Sequence, residues 1–154
     1  MLAKAPLSSL INPHDEFISP EDNFTGNIYN AFICCIPKHP ILKKCIEKSL
    51  ENIENEFYGN GPLAITGPGL FSEAFKDVIG SEVEPDKDYG KGIKLITHDA
   101  FVTSLLCPSL TEGHIAYGDK ELFITRYPAY YADRKWYNTN EHYSRMWHAR
   151  NVFN

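Results

Sequence analysis

The stretch Thr66-Gly67-Pro68 places a hydroxyl side chain, a glycine and a proline directly before an amphipathic segment. Threonine is a common N-cap residue, and glycine lets the backbone approach another group closely. The first N–H groups of a helix have no partners within the helix, and the helix dipole is positive at that end. We therefore expect Thr66 to cap a helix whose N-terminus either receives an anion or is only a capped helix end.

A single amide side chain, Asn30, lies within the apolar run from Ile28 to Ile36. Near-continuous hydrophobicity over 28–36 predicts a strand that is covered on both faces, and Pro37 ends it. A buried amide needs hydrogen-bond partners. Asn30 is therefore expected either to bond to the neighbouring backbone or to reach toward a bound ligand.

Polar and aromatic side chains are concentrated near the C-terminus, where His142, Arg145 and Trp147 follow one another closely. Arg145 is suited to charge-assisted contacts with phosphate. His142 and His148 would share a helical face poorly, and zinc-type spacings are absent, so a metal site built from both is not expected. His142 either contributes to a binding site or only caps, or lies on the surface of, a helix at 140–152. The aromatic side chains either stack on a sugar ring or nucleobase or pack this helix onto a sheet. They are Tyr127, Tyr130, Tyr131, Trp136, Tyr137, Tyr143, Trp147 and Phe153.

Two helices are predicted between these groups. Pro40 suits the first turn of a helix, and apolar residues then recur at three- and four-residue spacing with charged residues between them. Gly59-Asn60-Gly61-Pro62 ends this helix, and a second helix is expected at about 69–79. The residues expected to face the core are Ile41, Leu42, Cys45, Ile46, Leu50, Ile53 and Phe57 in the first helix and Leu70, Phe71, Ala74, Phe75 and Val78 in the second.

The remaining segments predict a small mixed sheet within an α/β fold. Alternation indicates a short strand at 93–97, and His98-Asp99 would place a carboxylate near the crevice at the strand ends. A turn at 117–120 precedes another strand at 122–126. Residues 1–26 are interrupted by prolines and are expected to be irregular, and 80–92 are expected to be exposed and mobile. Without an internal repeat, the 154 residues are expected to form a single domain.

The composition is that of an ordinary soluble globular protein, with 43% hydrophobic and 23% charged residues. A formal net charge of −5 argues against a general nucleic-acid-binding surface. No apolar run approaches the roughly 18 residues needed for a transmembrane segment. Cys34 and Cys35 are expected to point to opposite faces of their strand, and free thiols favour a cytoplasmic location. A Golgi-associated protein would need a membrane anchor that lies outside this chain.

Three short pieces, taken in order, resemble glycosyltransferases with a DXD sugar-binding region, the group that includes yeast-type α-1,6-mannosyltransferases and capsular and viral relatives. The pieces are Asn30-Ala31-Phe32-Ile33, Lys38-His39-Pro40 and Thr66-Gly67-Pro68. A weaker fourth piece, His142-Tyr143-Ser144-Arg145-Met146-Trp147, is similar to the closing His…Ser-Trp segment of that family, with Met146 in place of the serine. The likeness spans most of 27–147.

This resemblance implies that 27–154 form the C-terminal half of a GT-A-type nucleotide-diphospho-sugar transferase domain, with 1–26 as a lead-in. It implies transfer of a sugar from a nucleotide sugar to a glycan or other acceptor, with Mn²⁺ or Mg²⁺ offsetting the diphosphate charge. By the same resemblance, His142 and Trp147 would lie beside the diphosphate and its metal, with His142 as a metal ligand. The substrate-binding residues would be Asn30, Thr66, Gly67, Pro68, His142, Arg145 and Trp147.

The aspartate pair that holds the metal in this family has no counterpart before Asn30. The one Asp-x-Asp sequence in the chain, Asp86-Lys87-Asp88, lies in a polar stretch and is interpreted as a solvated turn. The metal ligands are therefore expected from a preceding segment or a second chain. The alternative function is a catalytically inactive carbohydrate- or protein-binding module that retains the scaffold.

Overall fold

The computed structural model describes residues 1–103, 111–126, 129 and 143–153, which form a mixed α/β fold. The strands are β1 (Leu2–Ala3), β2 (Phe17–Asp22), β3 (Asn27–Ile28), β4 (Cys34–Cys35), β5 (Ile93–Thr103), β6 (Thr111–Tyr117) and β7 (Lys120–Arg126). The helices are α1 (Pro40–Glu54), α2 (Pro68–Ile79) and α3 (Tyr143–His148). No helix among the described residues is long and apolar enough to cross a membrane.

The strands form one mixed sheet in the order β1-β7-β6-β5-β2-β3, and β4 also pairs with β2. β2 and β5 run parallel, in register from Phe17 opposite Ile93 to Asp22 opposite His98. The other described pairs are antiparallel. The carboxyl end of β2 therefore lies beside the middle of β5, at the kind of position where α/β sheets bind ligands.

The buried strand β2 lies inside the segment that the sequence predicts to be irregular. Phe17 N–H donates to the Gly92 carbonyl on the β5 side, so by alternation the nitrogen of Pro20 faces the opposite edge. There the pairing with β4 has ended and the pairing with β3 has not begun. Pro20 therefore costs the sheet no ladder hydrogen bond, which is why a proline is tolerated in this strand.

The single strand predicted at 28–36 is instead two short strands, β3 and β4, so the prediction of one continuous strand is wrong. Ile28 pairs with Glu21, and Cys34 pairs with Ile18. Residues 29–33 therefore lie opposite only 19–20 and bulge out of the sheet edge. Asn30 lies in this bulge and is exposed, which contradicts its expected burial in a strand.

The two long helices begin near the predicted positions. α1 begins at Pro40, and the Nδ1 atom of His39 accepts a hydrogen bond from Ile41 N–H at 3.3 Å. The N-cap of α2 is Gly67, which has no side chain to cap the helix, so the predicted capping role of Thr66 is wrong. Gly80, in the left-handed conformation, ends α2.

The helices α1 and α2 pack on one face of the sheet, and the N-terminal segment covers the other. The helix-side core consists of Phe17, Ile28, Ile41, Phe71, Phe75, Ile93 and Leu95. The opposite core consists of Leu10, Ile18, Ile96, Ile115 and Leu122, with Ala5, Ile11, Tyr29 and Phe32 packed against it. Cys35 packs against the first core and Cys34 against the second, which confirms that these thiols point to opposite faces.

The predicted core face of α1 is largely exposed. Ile41 is fully buried, whereas Ile46, Leu50 and Ile53 are 62%, 55% and 49% exposed. Phe57, which lies beyond the end of the helix, is 50% exposed. In α2 the expected core residues Leu70, Phe71, Ala74 and Phe75 are buried, but Val78 is 38% exposed.

The turn predicted at 117–120 is confirmed as the connection between β6 and β7. β5 extends well beyond the predicted 93–97. Most of 80–92 is exposed, as predicted, although Tyr89 packs edge-on against Phe75 with ring centroids 5.0 Å apart. α3 ends at His148, short of the predicted residue 152, and Arg150 follows in a left-handed conformation.

Candidate functional site

A cleft of about 820 Å³ lies between the N-terminus of α2, the bulge at 29–33 and α3. Its wall is mostly apolar, with a few hydroxyl, amide and carboxylate groups. This combination is typical of small-molecule sites. The lining residues are Asp22, Thr25, Tyr29, Asn30, Ile53, Pro62, Leu63, Ile65, Thr66, Gly67, Pro68, Tyr143, Met146, Trp147, Val152 and Phe153.

Five residues that the sequence singled out, from three distant parts of the chain, line this cleft. They are Asn30, Thr66, Gly67, Pro68 and Trp147. Arg145 lies on α3 and is exposed, and it is not part of the cleft wall. His142 lies outside the described residues, so its expected contacts with phosphate and metal stay predictions.

Contacts with the backbone on both sides hold the turn that carries Thr66. The side-chain amide of Asn52 in α1 donates to the backbone carbonyls of Ala64 and Ile65 at 3.3 and 2.9 Å. A Cβ atom on Gly67 would lie 3.0 Å from the Leu63 carbonyl oxygen. The close backbone approach expected at Gly67 is therefore present, and its partner is the chain itself.

The N-terminus of α2 has most of its donors occupied. The Leu63 carbonyl accepts from Gly69 N–H at 3.0 Å and from Leu70 N–H at 3.4 Å. Pro68 has no N–H group, and Phe71 N–H donates to the Gly67 carbonyl at 3.1 Å. These contacts satisfy the groups that an anion would otherwise bind, and they favour the capped helix end over the anion site.

Trp147 is fixed in the wall by contacts with the loop that follows α1. Its indole N–H donates to the Tyr58 carbonyl at 2.6 Å. The guanidinium of Arg150 lies 5.1 Å from the centroid of the Trp147 ring and 4.5 Å from that of Tyr58. Phe153 packs edge-on against Tyr58, with ring centroids 5.1 Å apart. Trp147 is thus a structural part of the wall as well as an aromatic surface.

The polar end of the cleft is formed by Asp22 and Tyr29, with His98 behind them. His98 Nδ1 lies 3.3 Å from Asp22 Oδ1, and His98 Nε2 lies 3.1 Å from Thr125 Oγ1. The Tyr29 ring stacks on the His98 ring, with centroids 3.9 Å apart and an angle of 15° between the planes. The carboxylate near the strand ends is therefore Asp22, whereas Asp99, which the sequence suggested, is not part of the wall.

Asp22 is the one charged side chain among the described residues of the wall. Burial lowers the pKa of His98, and this effect outweighs the opposing influence of Asp22. His98 is therefore neutral at neutral pH. The described part of the wall thus carries one negative charge and no positive one, which suits hydroxyl donors better than phosphate groups.

Among the described residues, no group of three or more His, Cys, Asp or Glu side chains could hold a metal ion. Asp86 lies in a turn, and Asp88 forms an isolated antiparallel bridge with Lys94 and accepts from Gly90 N–H at its Oδ1 atom, at 2.8 Å. Both aspartates are exposed, as the interpretation of a solvated turn predicts, but only Asp86 is in the turn itself. The described part of the chain therefore does not fit the divalent cation that the resemblance implies.

The site residues that sequence reasoning missed are Asp22, Tyr29 and Asn52. The sequence did contain a signal for Asp22. The stretch Asp22-Asn23-Phe24-Thr25-Gly26 is rich in turn-forming residues, and such a stretch is typical of the turn that ends a strand. Tyr29 and Asn52 lie in segments with strong strand and helix patterns, and their roles depend on contacts between elements.

Comparison of the chain with protein-family models, with curated proteins and with solved structures found no match.

Proposed function

We propose that this chain acts in glycosyl transfer, as the part of a glycosyltransferase-type domain that holds the sugar of a nucleotide-sugar donor or of a glycan acceptor. The observation that carries the proposal is the convergence of Asn30, Thr66-Gly67-Pro68 and Trp147 on one cleft. The resemblance implies that these residues bind substrate, and they come from three segments that are far apart in sequence. If the resemblance were accidental, there would be no reason for the three segments to line the same cleft.

The chemistry of the wall also suits a sugar ring. Tyr29, Tyr143 and Phe153 provide aromatic surface for the apolar face of a ring, while Asn30, Thr66 and the Asp22 carboxylate can bond to its hydroxyl groups. The cleft lies at the carboxyl end of β2, next to the parallel strand β5, as expected for a ligand site in an α/β sheet.

The described wall provides no cation for a diphosphate, and the donors of α2 are occupied. We therefore assign the cleft to the sugar or acceptor. The nucleotide diphosphate and a divalent cation would need ligands from the region of His142, from a preceding segment or from a second chain. The described residues contribute binding and orientation of the sugar and exclusion of water from it.

The second candidate is a carbohydrate-binding module that does not transfer sugar. It is favoured by the same wall, which offers aromatic and hydroxyl-binding groups, while the described residues provide no group of side chains that could hold a cation. The two candidates differ in whether a metal ion and a nucleotide are needed for binding.

The first prediction concerns ligand binding to the purified chain. UDP-glucose, GDP-mannose and the methyl glycosides of both sugars are titrated by calorimetry with and without Mn²⁺. We expect the Asn30→Ala variant to bind the effective probe about 5- to 30-fold more weakly than the native chain, because one or two hydrogen bonds to the sugar are lost. Asn60→Ala, an exposed amide outside the cleft, is the matched control.

The pattern of binding separates the two candidates. Binding of a nucleotide sugar that depends on Mn²⁺ supports a donor site, and a turnover assay should follow. Binding of the methyl glycosides without metal supports the carbohydrate-binding module. If none of the probes binds to the folded chain, the proposed function is wrong.

A further inference from the structure

The carboxylate of Asp22 is held in the cleft wall by groups on three sides. Its Oδ1 atom accepts from Phe24 N–H at 3.3 Å and lies 3.3 Å from His98 Nδ1, and its Oδ2 atom accepts from Thr25 Oγ1 at 3.0 Å. A carboxylate offers roughly four acceptor sites. The contacts from the described residues therefore leave one site for a ligand, and the side chain lines the cleft.

The direction of the hydrogen bonds around His98 follows from the chemistry of its partners. An ionised carboxylate can only accept, so His98 Nδ1 carries the proton that lies between it and Asp22. The neutral ring then accepts the hydroxyl proton of Thr125 at Nε2. His98 itself does not line the cleft; it lies behind Asp22 and Tyr29.

The space around His98 is preserved by a glycine in β6. A Cβ atom on Gly113 would lie 2.2 Å from Thr125 Oγ1 and 3.3 Å from His98 Nε2. No left-handed φ angle requires glycine at this position. The absence of a side chain at Gly113 therefore leaves room for the bond between Thr125 and His98.

The charged groups that act on His98 come from three strands. Asp22 at the end of β2 and Asp99 in β5 favour its protonated form, whereas Arg126 in β7 and burial disfavour it. The His98 ring lies between Asp22 and Thr125 and beneath Tyr29. In this position it supports the two cleft residues Asp22 and Tyr29. The ring therefore contacts both cleft residues directly, through the Asp22 carboxylate and the face of the Tyr29 ring.

We propose that Asp22 accepts hydrogen bonds from sugar hydroxyl groups in the cleft and that His98 is the positioning residue for Asp22 and Tyr29. This proposal rests on the proposed function, and it names the group that recognises a neutral, hydroxyl-rich ligand. The hydroxyl groups belong either to the sugar of a nucleotide sugar or to an acceptor glycan. The chemistry is the same for both sources.

The test measures binding of UDP-glucose, GDP-mannose and the two methyl glycosides to variants of the full chain. For the probe that binds the native protein, we expect Asp22→Asn to weaken binding about tenfold or more, because the charged acceptor is lost. Asp119→Asn, in the exposed turn between β6 and β7, is the matched control. Preferential binding of nucleotide sugars identifies the donor as the source of the hydroxyl groups. Preferential binding of methyl glycosides identifies a glycan, bound either as an acceptor or by the carbohydrate-binding module.

Three further variants test the positioning role. His98→Leu removes the donor to Asp22 and should weaken binding about as much as Asp22→Asn, whereas His98→Asn keeps a donor at the Nδ1 position and should recover part of the loss. Thr125→Val removes only the partner of Nε2 and should have a smaller effect in the same direction. NMR of the native chain should show neutral His98 protonated at Nδ1, the tautomer in which the ring donates to Asp22.

The outcomes distinguish this inference from the proposed function. If the native chain binds a probe and Asn30→Ala weakens binding but folded Asp22→Asn does not, the inference is wrong and the proposed function stands. Equal loss in His98→Asn and His98→Leu, or a neutral His98 protonated at Nε2, overturns the positioning role. If the folded native chain binds no probe, both proposals fail.

Discussion

Two adjacent carboxylates, Glu21 and Asp22, have opposite environments because successive side chains of a strand point to opposite faces. Asp22 is hydrogen-bonded in the cleft wall. Glu21 is buried, and its Oε2 atom has no hydrogen-bond partner among the residues that the structure describes. Burial, and then the charge of Asp22, raise the pKa of the Glu21 carboxyl above its usual 4.5. A buried acid of this kind costs stability when it must ionise.

The second prediction follows from this shift in the pKa of Glu21. The folded chain holds the proton more tightly than the unfolded chain, so this residue lowers the free energy of unfolding as the pH rises from about 4.5 through the raised pKa. Glu21→Gln should remove this loss. The free energy of unfolding of the variant, relative to that of the native chain, should therefore increase from pH 5 to pH 8. Urea unfolding at both pH values measures the difference.

The control for Glu21 is Glu51→Gln, an exposed carboxylate on α1. This variant should follow the native pH dependence. A constant stability difference between Glu21→Gln and the native chain at pH 5 and pH 8 would contradict the account of Glu21.

At the scale of the elements, α1 shows how far an amphipathic pattern determines burial. Its apolar residues recur as in a surface helix, yet only Ile41 is fully buried, and Ile46 is 62% exposed. Among the described elements α1 packs mainly against α2, and only Ile41, Leu42 and Cys45 of α1 reach the helix-side core. Part of the apolar stripe therefore extends beyond the core.

The third prediction compares two isoleucines of α1. Ile41→Ala should lower the free energy of unfolding by about 2–5 kcal/mol, because it leaves a cavity in the packed core. Ile46→Ala, the same change on the exposed side, should alter it by less than about 0.5 kcal/mol. Chemical unfolding of both variants measures the values, and similar losses would mean that the exposed side of α1 is covered in solution.

At the scale of the whole molecule, the N-terminal segment is tied to the sheet by a buried ion pair. Lys94 Nζ lies 2.8 Å from Asp15 Oδ2, and the two side chains are 6% and 10% exposed. Lys94 Nζ also donates to the Leu10 carbonyl at 3.4 Å. These contacts hold the segment that covers the second face of the sheet.

The fourth prediction is that Asp15→Asn lowers the free energy of unfolding by about 3–5 kcal/mol, because it leaves the buried Lys94 charge unpaired. Glu47→Gln breaks the exposed pair with Lys43 on α1 and should cost less than about 1 kcal/mol. Denaturant unfolding compares the two variants. A small loss in Asp15→Asn would show that water reaches Lys94 and that the N-terminal segment contributes little to the fold.

The sequence by itself determined the features that depend on local patterns. Helix periodicity and proline placed the start of α1, the apolar residues of α2 located its buried face, and Tyr117-Gly118-Asp119-Lys120 located the turn between β6 and β7. Each of these signals lies within one short stretch of chain, where propensity and spacing act directly.

Only the tertiary structure decided which strands are central and what meets in the cleft. Pro20 argues against a strand, yet it is accommodated where the partner strand is interrupted, a condition that depends on residues 29–33. Asn30 was expected in a buried strand because its neighbours are apolar, and the bulge moved it to the surface. The contact of Asp22 with His98 joins β2 to β5 across 76 positions of sequence. Pairing over such distances leaves no periodic trace in either segment, because it is decided by packing of the whole chain.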